Sequence, residues 1–227
     1  MAPAQPAYRK IVDDRPLKTD SNCEYGSFMI DTRFSRRALL GVGAATIISG
    51  LATRRLLAQE ALLPATPRCR DDDDPTPAET EGPYFTPNSP ERANLVEEGM
   101  KGDRIALAGF VLDRRCQTVP GALLDLWHAD AAGQYDNRGY RLRGHQFSDS
   151  LGRFVFETIV PGLYPGRTRH FHLKVQAPGQ DILTTQLYFP GEPQNERDRI
   201  FDSALLLDLK QDAATKIGRY DFVLDVG

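Results

Sequence analysis

Beyond residue 100, apolar positions along the chain come in short runs separated by turn-forming residues. Stretches rich in β-branched, aromatic and other apolar residues lie at 104–112, 122–128, 154–160, 170–176, 183–189 and 220–226. Between them stand Val119-Pro120-Gly121, a glycine-rich stretch reaching Gly152, Pro161-Gly162 and Pro178-Gly179. Runs of this length bounded by Gly, Pro, Asn and Asp predict strands, and strands without intervening helices predict an all-β fold, an antiparallel β-sandwich with little helix. Only 195–216 has any helical character, and that is weak. No repeat or low-complexity tract interrupts the pattern.

The first sixty residues are patterned differently. Phe34-Ser35-Arg36-Arg37-Ala38-Leu39-Leu40 sets paired arginines ahead of an apolar run over 38–52, which reads as a twin-arginine export signal and predicts a secreted or periplasmic protein. A membrane-spanning helix needs roughly twenty apolar residues, and this run is shorter and broken by Gly41, Gly43 and Gly50, so no stable membrane insertion is expected. The alternative is that Arg36-Arg37 belongs to an ordinary surface helix. Met29 offers a second start that would give the signal an ordinary length, and small residues suited to cleavage lie near Ala58 and Ala61. The expected organisation is a signal region over 1–58, an extended leader over 59–77 and a folded domain over 78–227. The leader is punctuated by Pro64, Pro67, Pro75 and Pro77 and carries the acidic run Asp71 to Asp74.

At 227 residues and 41% hydrophobic composition the chain can bury one core. With Lys+Arg 28 against Asp+Glu 31 it has no basic excess for a phosphate backbone to exploit, so small molecules rather than nucleic acid are the expected partners. Of three cysteines, Cys23 precedes the signal, leaving Cys69 and Cys116. Two thiols in an oxidising compartment invite a disulfide, with two unpaired small residues as the alternative. Their spacing fits no zinc-binding pair.

Candidate chemistry begins at His170-Phe171-His172. In a strand, alternate side chains share a face, so both imidazoles project the same way and can chelate one metal while Phe171 points oppositely. Neither a Cys pair nor an HExxH glutamate lies nearby to complete a site, but tyrosines stand at loop positions: Tyr135 after Ala131-Ala132-Gly133-Gln134, and Tyr164 within Pro161-Gly162-Leu163-Tyr164-Pro165-Gly166. A phenol with pKa about 10 binds as phenolate only to a strong Lewis acid, and a hard trivalent cation serves better than zinc. Two phenolates with two imidazoles therefore point to Fe(III). Read singly, Tyr164 is equally a turn tyrosine, Tyr135 a half-buried aromatic, and the pair Arg167 and Arg169 a solvated basic loop.

Four segments in order resemble those of the intradiol ring-cleavage dioxygenases. They are Thr80-Glu81-Gly82-Pro83-Tyr84-Phe85, Leu126-Trp127-His128-Ala129-Asp130 leading to Gly133-Gln134-Tyr135, Pro161-Gly162-Leu163-Tyr164-Pro165, and Arg167-Thr168-Arg169-His170-Phe171-His172. The resemblance implies a β-sandwich holding Fe(3+), with Tyr135 and His170 equatorial, Tyr164 and His172 axial. It implies that Arg167 stabilises charge on a bound catechol and that Tyr164 accepts a substrate proton. Gly82, Pro83, Tyr84 and Gln186 would line the substrate pocket, with Tyr84 a wall and not a third phenolate; Trp127 would be core and His128 a satisfied partner. The implied reaction joins both atoms of O2 to a catechol-type ring and opens it to a cis,cis-muconate. Gly166 follows Tyr164-Pro165 where the protocatechuate-cleaving branch tends to carry tryptophan, so catechol, hydroxyquinol and larger lignin-derived catechols stand beside protocatechuate as candidates. Two other readings compete: a non-catalytic secreted β-sandwich that binds carbohydrate or lignin fragments, and a zinc hydrolase built on His170 and His172.

Overall fold

The computed structural model describes Cys69, residues 74–212 and residues 215–226. The twin-arginine signal, Met29, Cys23 and most of the leader, including Asp71 to Asp73, lie outside the described residues. No helix among the described residues is long and apolar enough to cross a membrane.

Among the described residues nine strands form two sheets: β1 (Arg104–Asp113), β2 (Leu123–Trp127), β3 (Arg143–Phe147), β4 (Arg153–Ile159), β5 (His170–Gln176), β6 (Leu183–Tyr188), β7 (Asp208–Asp212), β8 (Thr215–Arg219) and β9 (Phe222–Leu224). One sheet runs β4-β1-β8-β7 with β9 also on β1; the other runs β3-β2-β5-β6. The expected β-sandwich is present, and the second sheet is antiparallel throughout. The first is mixed, because β1 pairs in parallel with both β8 and β9. The break between these two partners has a local cause. Tyr220 comes so close to Gly109 that a Cβ there would meet its carbonyl at 1.7 Å, and the Asp221 carboxylate accepts the Phe110 N–H at 3.1 Å where the ladder is interrupted.

The core lies between the sheets. Leu124 and Leu126 of β2, Phe171, Leu173 and Val175 of β5, and Leu187 of β6 meet Ile105, Leu107 and Val111 of β1 and Phe154 and Phe156 of β4. Alternation then sends His170, His172 and Lys174 to the outer face of the second sheet. Register aligns Trp127, His172 and Gln186 in one row and Asp125, Lys174 and Thr184 in the next. Residues 76–95 form a strap across this face. Its backbone bonds from Glu79 N to Thr184 O on β6 and from Arg92 N to His145 O on β3 tie it down at both edges of the sheet, and that from Leu95 N to Glu157 O joins it to β4 of the other sheet.

Two elements differ from expectation. The span 195–216 is not helical: it holds a single 3-10 turn, Ser203–Leu205, then β7 and the start of β8. Asp202 caps the turn by accepting the Ala204 N–H, after which Leu206 is extended, and Leu207 and Leu209 alternate into the core at strand spacing. β3 was hidden in the glycine-rich stretch, because Arg143-Gly144-His145-Gln146-Phe147 owes its extension to pairing with β2 and the strap and not to apolar residues. Cys69 and Cys116 form a disulfide with Cα atoms 5.5 Å apart, closing a loop over a sequence separation of 47. By loop-closure entropy this is worth about 4 kcal/mol.

Candidate metal centre

Strand β5 carries His170 and His172 on its outer face, 4% and 3% exposed. Their Nε2 atoms face each other at 3.1 Å. His170 Nδ1 donates to Thr168 O at 2.6 Å, which assigns the tautomer and leaves the Nε2 lone pair directed into the site. Burial, with the Arg167 charge adding to it, lowers His170 to about 4; burial and the neighbouring His170 carry His172 well below the usual range, so both rings are neutral. Trp127 lies flat against His172, centroids 5.0 Å apart at 6°, and fixes its plane. Two neutral imidazoles with Nε2 atoms this close require a proton or a cation between them.

The phenols come from two loops that are locked together. Asp130 organises the first: its Oδ1 accepts from Ala132 N and Gln134 N, and its carbonyl accepts from Gly133 N and from Gly162 N of the second loop. Neither glycine could carry a side chain, since a Cβ on Gly133 would meet Leu163 O at 2.1 Å and one on Gly162 would meet Gly133 N at 2.4 Å. Tyr135 thereby brings its hydroxyl to 3.5 Å from His170 Nε2. Its ring stands 6.1 Å from Tyr164, edge to face. Burial raises the Tyr135 phenol well above 10, against the pull of Arg167 and Arg143, so only a strong Lewis acid would make it a phenolate at neutral pH. The Tyr164 hydroxyl is 3.0 Å from that of Tyr84.

Tyr84 is a wall, stacked on Tyr135 at 4.4 Å, but through its hydroxyl it is also a partner of Tyr164. It rides on the strap beside Pro83 and Gly82, whose left-handed backbone (φ 71°) lies over His172. Lys174 holds that strap, paired with Glu81 at 2.5 Å and set 4.3 Å over the Phe85 ring, which packs on Trp127.

Hydrogen-bond partners separate the two arginines. Arg169 bonds Glu192 Oε1 and Pro161 O, away from the histidine row, and is structural. Arg167 Nε donates to Asp198 Oδ2 at 2.8 Å and Nη2 to Gln186 Oε1 at 2.6 Å. Gln186 in turn donates Nε2 to Thr80 O and accepts from Tyr188, so its amide holds Arg167 and the strap. His128 is satisfied by Ala129 O and Thr158 Oγ1, both at 2.7 Å. Sequence reasoning took Trp127 for core alone and passed over Tyr188, Asp198 and the buried Arg143. Trp127 and Tyr188 follow once the strand register is known; Asp198, on a distant turn, left no local signal.

The donor set fits a hard trivalent cation. Among the described residues no group of three His, Cys, Asp or Glu side chains could hold a metal. A zinc site of the usual kind therefore has no third His, Cys, Asp or Glu ligand among the described residues, and the oxygen donors beside the two imidazoles are phenols.

A family profile described as Dioxygenase matches residues 80–226. Hydroxyquinol 1,2-dioxygenase of Nocardioides simplex is 30% identical over 152 residues, 56% of this chain and 52% of that protein. The protocatechuate 3,4-dioxygenase beta chain of Burkholderia cepacia is 34% identical over 127 residues, 48% of this chain and 54% of that one. Among solved structures, the dioxygenase domain of a dioxygenase carbohydrate-binding protein fusion from the cellulolytic bacterium Streptomyces sp. SirexAA-E superposes with a TM-score of 0.67 at 53% identity. That match covers 68% of this chain and 100% of that one. The chain spans about half the length of the curated relatives it matches.

Proposed function

Because the chain belongs to the intradiol ring-cleavage dioxygenase family, we propose that it opens the ring of a catechol-type aromatic with O2 to a cis,cis-muconate. In this reading Fe(3+) is held by Tyr135, Tyr164, His170 and His172. The observation that carries it is the pair of neutral imidazoles with Nε2 atoms 3.1 Å apart and a buried phenol hydroxyl 3.5 Å from one of them.

Ferric iron, when bound, would ionise the phenols and withdraw electron density from a chelated catecholate, which lets a singlet aromatic react with triplet O2. The phenolic oxygen of Tyr164 accepts a proton from the incoming catechol. Tyr84, 3.0 Å away, hydrogen-bonds that oxygen in either protonation state. Trp127 and the Thr168 carbonyl keep the imidazole planes fixed while this happens. Arg167 supplies positive charge toward the ring as it becomes electron-rich, in a site the Gly82-Pro83-Tyr84 strap screens from water.

The test is a visible spectrum of purified protein with oxygen uptake on a panel of catechols. Charge transfer from phenolate to ferric iron should colour the protein burgundy, and uptake should be stoichiometric with muconate formed. Catechol, hydroxyquinol, protocatechuate and larger lignin-derived catechols are separated by their kcat/KM. A protein that stays colourless after ferric reconstitution sinks the dioxygenase reading and favours a binding module for carbohydrate or lignin fragments. The paired arginines support export as a folded protein by the twin-arginine route to a secreted or periplasmic location. Arg36→Lys with Arg37→Lys should hold the protein in the cytoplasm, and normal export of that variant would exclude the route.

A further inference from the structure

Arg167 sits on the loop before β5, preceded by Gly166 with a left-handed backbone (φ 81°) and open space around its Cα. Such a loop does not by itself orient a long side chain, which carries ~2 kcal/mol of rotamer entropy. A charge meant to meet a transition state must be aimed before the reaction begins. The structure supplies the aim from a turn 31 residues further on.

Asp198 is buried, its side chain 2% exposed. Its Oδ2 accepts from Arg167 Nε and from Thr168 N, each at 2.8 Å, and its Oδ1 accepts from Ile200 N at 3.2 Å. Thr168 also receives the His170 Nδ1–H on its carbonyl and donates its hydroxyl to Asn195 Oδ1 at 2.6 Å. One carboxylate thus grips the guanidinium and the backbone that orients a histidine of the site. Gln186 takes the guanidinium from the second side through Nη2. Among the described residues these bonds engage Nε and Nη2 and leave Nη1 uncommitted.

We propose that Asp198 is the positioning residue for Arg167, holding the guanidinium plane so that its remaining N–H edge serves the bound catechol. A carboxylate suits this role better than an amide. Arg167 lies near a centre that gains cationic charge on binding iron, and an anion behind it opposes the resulting repulsion. Burial works to raise the Asp198 carboxyl, but the Thr168 N–H, the Arg167 guanidinium and the Ile200 N–H outweigh it and leave it below the usual carboxylate range, hence ionised.

This inference rests on the dioxygenase reading, and the experiment separates the two. Asp198→Asn, Arg167→Ala and the double variant are compared with wild type for kcat, iron content and visible spectrum. Asp198→Asn should retain iron and the charge-transfer band while kcat falls about 10- to 100-fold, the scale expected of a misaimed group. In the Arg167→Ala background the same change should cost less than about twofold, because no guanidinium remains to be aimed and the asparagine amide oxygen still accepts the Thr168 N–H. A residue that merely supports the fold would lower both backgrounds by the same factor; that result, or an unchanged kcat in the single variant, overturns the proposal. If Asp198→Asn does not fold, Asp198→Glu, which keeps the charge and moves it by one methylene, is put through the same cycle against the same criterion. Iron-loaded wild type that opens no catechol overturns the functional reading and this inference with it, whereas an active wild type with multiplicative effects overturns this inference alone.

Discussion

The two faces of β5 are one residue out of phase and obey opposite rules. Toward the core, Phe171, Leu173 and Val175 are fully buried among apolar neighbours, and what matters there is volume. Toward the strap, His170 and His172 are almost as buried, yet every contact is directional: a ring plane, a lone pair, a hydrogen bond to a named carbonyl. Equal burial therefore does not mean equal purpose. On one face it removes hydrocarbon from water; on the other it keeps titratable rings neutral.

Changes on each face should fail differently, and the sharpest is on the outer one. His172→Ala should lose iron and with it the colour and essentially all ring cleavage, measured by metal analysis and oxygen uptake; a variant that keeps full iron occupancy would remove His172 from the ligand set. Arg167→Ala should keep the band and lose about 10²- to 10³-fold in kcat, as expected for one charge contact in the transition state. On the inner face, Leu173→Ala should lower the unfolding free energy by about 2 to 5 kcal/mol while protein that remains folded keeps its spectrum, checked by denaturant titration with colour followed in parallel. Bleaching ahead of unfolding would show that the faces are not independent.

A smaller effect tests the outer face one row from the histidines, where Asp125 lies under the strap. Burial raises its carboxyl to about 6, with the Ser89 hydroxyl and the charges of His145, Lys174 and Arg143 pulling the other way. Its folded pKa thus exceeds the unfolded value of about 3.9, so the folded state binds the proton more tightly. That contribution is fully present below about pH 4 and lost as pH rises through about 6. Relative to Asp125→Asn, wild type should lose stability between pH 4 and pH 7, by no more than about 3 kcal/mol. A constant difference across that range would mean that Asp125 titrates alike folded and unfolded.

Much of this was legible in the sequence. Strand β5 has the limits its alternation predicts, and the His-x-His spacing points to two imidazoles on one face, which meet through Nε2 with the Tyr135 hydroxyl beside one of them. Local pattern carries such features because they depend on residues close in the chain. Register does not: that Trp127 faces His172 and that Gln186 lies beside them depends on how three strands slide past one another. Asp198 depends on a turn docking onto a loop 31 residues away, and β3 on partners that supply what its own residues lack. The parallel pairing of β1 was equally invisible, since its apolar run is compatible with neighbours of either direction.

That pairing has a consequence for how the protein is made. Phe110 donates its N–H to Asp221, 111 residues later, and β8 and β9 complete β1 only after the strands of the opposite sheet exist. At about 5–20 residues per second, a ribosome leaves one edge of the most apolar strand waiting for several seconds. Nascent chains stalled before Phe222 should therefore be clients of holding chaperones, because β9 is the strand that completes this edge of β1.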